Sequence, residues 1–570
     1  MPSSTKARLF TGAMAALLIV TLVQWNPQPV PTYTGNQEWL NVRSRYAVRC
    51  LPPAYVPEDF LQKPISLKKG IGQVSYPIQT TSPKAQIFFN QGMTYLYNFE
   101  WVQAARSFFE AKRFDSTSAM ISFGLANAYA NMIDSNEARR FGQLALQQSK
   151  TPYEGSITRL HATMLAPAHD PSTATANKLL AYRQIDSLVA ANAHNAEAWM
   201  FAGNCYAELK WKEGETEQEH YKQAGTYFHK ALDILPKHFG AWHLLIHINE
   251  GLSNFGACLT YGNLYTQAAP EIPHAWHMYA HDLMKTGRVD EAIEKFNHAF
   301  LLEQKKYKEE QMPTHYDWHH THNLELLAYS HQYKGQLAKA EAIFAKLDTI
   351  KAFSVQATGQ IRKGYPEYLL QNGRYLDAVR IAQTMKGSQY SAGIAYSLAG
   401  LGYLLAKDTA NARHEATLYG KRLDSVLLQR LKEGYTKEEA VRMQSIGRGL
   451  LTLVESGISL QADPENSGLR QQFTKVQTAM LKQTGPDAWI AALYFLQLVT
   501  NITWSGGNME LAETSARTML QHDPNYGGGH WWLAKILHRQ GKLVEANAEL
   551  DKARKAYEDA DPAFLRTLTL

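Results

Sequence analysis

Ala241–His247 reads AWHLLIH and Ala275–His281 reads AWHMYAH, so the phrase Ala-Trp-His-x-x-x-His occurs twice, with Trp242 and Trp276 34 positions apart. That period is the length of a two-helix repeat. Trp276, Tyr279, Ala280 and Leu283 fall at i, i+3, i+4 and i+7 and form one stripe of a helix. Gly287 supplies a turn, and Val289, Ala292, Phe296 and Ala299 form the stripe of a second helix. The small Ala280 and Ala292 let the two helices approach, while the aromatic rings fill the space beside them.

The same frame runs along the chain. Trp242, Leu245 and Ile246 open the preceding unit, and Trp199, Ala202, Gly203 and Tyr206 open the one before it. Phe88, Gly92, Tyr95, Trp101, Ala104, Phe108 and Ala111 fit near the N-terminus, and Ser122, Leu125, Ala126 and Tyr129 follow. Leu324, Leu327, Ala328, Gly335 and Phe344 make a further unit. Gly507, Ala512, Leu533, Ala534, Gly541 and Ala546 mark a pair at the C-terminus. Leu423 to about Gly485 reads as helical without a definable phase. These units resemble tetratricopeptide repeats. The resemblance implies an all-α, right-handed α-solenoid in which stacked neighbours supply one another's core, and in which the first helix of each pair lines a concave groove. The expected division is a signal or anchor over 1–23, an extended Pro-rich linker over 24–83, an N-terminal repeat array over 84–350, degenerate helical repeats over 351–485, and a C-terminal repeat pair over 486–570.

A repeat has no need of imidazoles. Stepping about 100° per residue from Trp276, His277, His281 and His274 fall together on another face of the helix. His243 and His247 take the same directions from Trp242, and His322 stands two places before Leu324 as His274 stands before Trp276. Six imidazoles from three consecutive units therefore share one face, which the resemblance makes the groove. Three readings are open. The histidines are packed or hydrogen-bonded structural residues. Alternatively, they ligate a divalent transition metal such as zinc or copper through His243, His247, His277, His281 and His322, since imidazoles at i and i+4 can share an ion with a neighbouring helix. In the third, the groove holds an anionic or aromatic peptide or glycan. Candidate groove contacts are His274, His319, Met200, Asn204, Trp531 and Lys535. The H-E-x-x-H hydrolase pattern is excluded, because Leu244 and Met278 stand where its glutamate is needed. Glu250 and Asp282 are nearby carboxylates, either solvated or orienting imidazoles. The stretch HYDWHHTHN, His315–Asn323, lies where Trp276 to Leu324 spans 48 residues instead of 34. It reads as a loop that lids the groove or caps a helix end.

Basic and acidic residues nearly balance, 58 against 52, which argues against a nucleic-acid partner. Cys50, Cys205 and Cys258 have no metal or redox spacing. Lys6 and Arg8 precede the uncharged stretch Leu9–Val23, which reads as a secretory signal or a retained inner-membrane anchor. No other segment is apolar enough to cross a membrane. Gly70–Gly92 and the histidine-rich helices followed by His322-Asn323-Leu324 resemble a group of exported bacterial tetratricopeptide proteins. The resemblance implies a periplasmic or cell-surface location. Two function classes remain: a scaffold that binds a protein or peptide in its groove, carrying a histidine-ligated metal, and a metal-dependent hydrolase or oxidoreductase built on the same scaffold.

Overall fold

The computed structural model describes residues 56–570 apart from 133, 168–170, 210, 211, 213, 351–354, 387–391, 433–436 and 482–487. Among the described residues every regular element is a helix. They form two compact units, the first running to His320 and the second from Thr321 to Leu570. The boundary falls within one continuous helix, Trp318–Tyr333.

In the first unit, Pro83–Tyr97 pairs with Trp101–Phe114, Ala119–Asn131 with Ser135–Gln148, Pro152–Leu165 with Pro171–Ala191, and Ala196–Glu208 with Glu217–Ile234. Phe239–Gly251 with Phe255–Ala268, and Pro273–Lys285 with Val289–Glu310, complete the series. Each helix packs on the next. The first helices of the first four pairs also touch in succession, which is the tetratricopeptide arrangement. Local chemistry starts these helices where the sequence requires. Thr151 with Glu154 and Thr216 with Glu219 form capping boxes, and Ser82, Asp134 and Asn195 cap others.

The recurring tryptophan has a structural task. The Trp276 indole N–H donates to the Pro270 carbonyl at 2.9 Å, and that of Trp199 donates to Ala193 at 2.9 Å. Each closes the turn six residues upstream, and His530 reaches Pro524 across the same interval at 2.9 Å. Small residues let the helices close up. An added Cβ at Gly92 would meet the Phe108 ring at 2.4 Å, and one at Gly124 would meet it at 2.5 Å. Phe108 is thus clasped between two glycines on successive first helices.

The array closes back on its own start, since helix Phe239–Gly251 touches helix Pro83–Tyr97. The extended segment before the first pair is threaded between these parts, with Ile65, Ile71, Val74 and Tyr76 buried. The Asn98 amide donates to the Ile71 carbonyl at 2.7 Å, and the Glu271 N–H donates to that of Gly70 at 2.9 Å.

The extra length before Leu324 is mostly helix, which corrects the loop reading of His315–Asn323. Val289–Glu310 runs 22 residues, a short 3-10 turn covers Thr314–Tyr316, and the next helix starts at Trp318. Asp317 explains the restart, because its Oδ1 accepts from the His319 N–H at 3.0 Å.

In the second unit the stretch that resisted phasing contains Thr409–Lys432, Lys437–Met443, Ser445–Ala462 and Ser467–Leu481. Its last pair, Gly527–Arg539 and Leu543–Ala556, is sealed by Tyr557, Phe564 and Leu568. No helix among the described residues is long and apolar enough to cross a membrane. The candidate signal or anchor lies outside the described residues.

Candidate metal centre

The helix Phe239–Gly251 carries His243 and His247 one turn apart, and Pro273–Lys285 carries His274, His277 and His281. All five rings are at most 4% exposed. The face expected to line an open groove is therefore interior to the first unit, and this applies also to His274 at 1% and His319 at 2%. What covers it is the turn after helix Pro83–Tyr97. The Phe99 ring lies 4.5 Å from that of His243, 5.5 Å from His247 and 5.4 Å from His274, centroid to centroid. Tyr265 stacks on the other side of His243 at 4.8 Å.

Hydrogen bonding fixes the tautomer of His243. His243 Nδ1 sits 2.6 Å from the Tyr97 carbonyl oxygen. A carbonyl only accepts, so Nδ1 holds the proton and Nε2 of the neutral ring presents its lone pair. His247 Nδ1 faces the Glu250 carboxylate at 3.4 Å, which favours a proton there too. Nε2 of His247 and Nε2 of His274 then approach His243 Nε2 at 3.1 and 3.0 Å. Two imidazole lone pairs turned toward each other at that distance repel unless a proton or a metal ion lies between them. The three ligand atoms all fall within 4.8 Å of one another, a set able to hold one ion. In a tetrahedral zinc site, neighbouring nitrogens stand about 3.3 Å apart, slightly wider than here.

The electrostatics keep His243 and His274 neutral. Burial pushes His243 well below the usual imidazole value, and His247 adds to the effect. Burial does the same to His274, aided by His243 and His319. Burial alone would raise the Glu250 carboxyl, but the Lys285 ammonium 2.6 Å away and His247 hold it well below the usual carboxylate range. A charged Glu250 behind the His247 imidazole is the carboxylate–histidine arrangement that raises the basicity of a ligand nitrogen.

Further imidazoles continue from this set. The His277 ring lies 4.7 Å from His281 and 4.3 Å from His319, while His274 and His319 are 5.1 Å apart. Glu303 accepts at 2.7 Å from Nδ1 of both His319 and His320. His322 is buried on helix Trp318–Tyr333 and belongs to the second unit. Of the other candidates, Met200 and Asn204 line a cleft of the first unit that also includes Tyr97, Phe99 and Glu197. Trp531 and Lys535 meet in the second unit, where the Lys535 ammonium lies 4.9 Å from the Trp531 ring and 4.3 Å from that of Trp532. Cys205 and Cys258 are buried, and neither is in a disulfide among the described residues. The residues not anticipated are Tyr97, Phe99 and Glu303. Phe99 had a sequence signal, since YNFEW places an aromatic where several other units have glycine.

No family model matches the chain. No curated protein matches it. Among solved structures it is similar to the APC/C hetero-tetramer Cut9–Hcn1, at 11% identity over 85% of this chain and 84% of that one, with a TM-score of 0.33. It is also similar to Naa15/Naa10 bound to HypK-THB, at 13% identity over 79% of this chain and 65% of that one, with a TM-score of 0.26. At these scores neither likeness bears on function.

Proposed function

We propose that the protein is an exported helical-repeat scaffold that holds a divalent transition metal, zinc or copper, on His243, His247 and His274, and that it presents this centre to a protein or peptide partner. The observation that carries the reading is the approach of the Nε2 atoms of His247 and His274 to 3.1 and 3.0 Å from that of His243, whose Nδ1 proton is committed to a backbone carbonyl. Among the described residues, the polar neighbours of His243 Nε2 are two more imidazole nitrogens.

A three-histidine set also supports the rival class. Structural zinc sites close all four positions with protein ligands, whereas catalytic sites keep one open for water or substrate. Elemental analysis of the purified protein tests the common premise. About one metal ion per chain is expected, falling to background in His243→Ala, while His298→Ala, an exposed histidine outside the set, retains it. A metal-free wild type, or a His243→Ala variant as loaded as the parent, contradicts the proposal. Cell fractionation tests the exported location.

A further inference from the structure

In the turns between paired helices, one residue adopts a left-handed backbone, and the next residue's N–H bonds back to the carbonyl five positions earlier. Gly287, Gly335, Gly373, Gly507 and Gly541 hold this place with φ between 69° and 89°. The bonds Arg288 to Leu283, Gln336 to His331 and Arg374 to Leu369, each 2.9 Å, show the repeated geometry. This is the Schellman ending, for which glycine is suited because it carries no Cβ. In the first pair the place is taken by Phe99, at φ 57°, with Glu100 bonding to Tyr95 at 3.0 Å; Ser253 at 56° and Lys407 at 66° are the other side-chain-bearing residues that hold it. A bulky residue there costs about 1 kcal/mol. Unlike Ser253 and Lys407, Phe99 brings a ring to that place, and the ring contacts His243, His247 and His274 as well as Trp101.

Phe99 has a second neighbour. It is half-buried and forms part of the lining of the narrow cleft that holds Tyr97, Asn127, Glu197, Asn204 and Glu208, a space of about 60 Å³. Its ring is therefore common to the cleft and to all three imidazoles. We propose that Phe99 is a shutter over the open coordination position of the His243–His247–His274 centre, and that the cleft is the binding site of the ligand that reaches the metal past it. The inference rests on the metal reading above. Side-chain amides and two carboxylates line the cleft, and no lysine or arginine is among the lining residues. The ligand class is therefore a cationic, amine-bearing molecule or peptide side chain that carries a donor atom, and an anion is disfavoured.

Replacing Phe99 with glycine removes the ring and suits the backbone, so Phe99→Gly keeps the fold by the same logic that places glycine in the other turns. The test uses the full chain loaded with cobalt(II), whose visible spectrum reports a new ligand. The probes are two N-substituted imidazoles of matched length, one ending in an ammonium and one in a carboxylate. Association of the ammonium probe should be at least about tenfold faster in Phe99→Gly than in wild type, with cobalt content unchanged. It should be at least about tenfold slower in Asn204→Trp, which fills the cleft. The ammonium probe should also bind at least about tenfold tighter than the carboxylate probe. Equal rates in wild type and both variants, on protein that holds cobalt, overturn the shutter and leave the metal centre standing. Preference for the carboxylate probe overturns the ligand class. Failure of cobalt to bind at all overturns the metal reading, and this inference with it.

Discussion

The carbonyl oxygen of Tyr97 accepts a hydrogen bond from His243 Nδ1 at 2.6 Å, although the two residues stand 146 positions apart in the chain. The bond exists because the fifth helix pair of the first unit returns to the first pair. It ties the architecture to the chemistry, since the same contact that closes the array also sets which nitrogen of His243 is available. Because the acceptor is backbone, no side-chain replacement at Tyr97 removes it, and Tyr97→Phe should leave metal content at the wild-type level. Elemental analysis checks this.

Metal should stabilise the first unit. Anything that binds the folded chain and not the unfolded one adds about 2.7 kcal/mol at one hundred times its dissociation constant. Thermal melts with and without a chelator should therefore separate for wild type and coincide for His274→Ala. Coincident wild-type melts would count against a bound ion.

Glu250 and Lys285 form a buried pair at 2.6 Å, with side chains only 1% and 5% exposed. Removing one partner strands the other charge away from water. Glu250→Gln should cost about 3 kcal/mol in urea unfolding, and combining Glu250→Leu with Lys285→Met should restore most of that loss. If Glu250→Gln unfolds at the wild-type midpoint, the pair is not buried as described.

Lys306 lies between two carboxylates, 2.8 Å from Glu100 and 2.7 Å from Asp317, so one ammonium faces two acids. Burial pushes the Glu100 carboxyl up to about 7, although Lys306 opposes the shift. A value raised above that of the unfolded chain means that the protonated form is favoured by folding. The stabilisation is complete below the ordinary glutamate value and is lost as pH rises through about 7. Unfolding free energy should therefore fall across that window, and Glu100→Gln should flatten the slope. An unchanged slope in the variant would assign the loss to other groups.

Helix identity and repeat spacing were legible because tryptophan, alanine and glycine recur at fixed places, and each of those residue types answers a local packing need. The shared face of the histidines was legible from helical angles alone. Its burial was not, because the covering residue Phe99 comes from a pair far upstream, and closure of the array is a long-range property. Glu303 was hidden for a related reason: the second helix of its pair runs to Glu310, and only that extension brings the carboxylate to His319 and His320. The restart at Trp318 depends on one aspartate, Asp317, that a histidine-rich string conceals.

Phe108 offers a check on the repeat packing itself. With Gly92 and Gly124 each close against its ring, Gly92→Ala should destabilise by about 1–3 kcal/mol, and Phe108→Leu should recover part of that in the double variant. Strictly additive losses would mean that the two residues do not touch.

The most direct measurement is X-ray absorption at the metal edge of the purified, metal-loaded full chain. The account predicts imidazole scattering from three nitrogens at about 2.0–2.1 Å, with the imidazole signature reduced in His247→Ala. A first shell of oxygen or sulfur without imidazole, or a spectrum identical in wild type and His247→Ala, would contradict it.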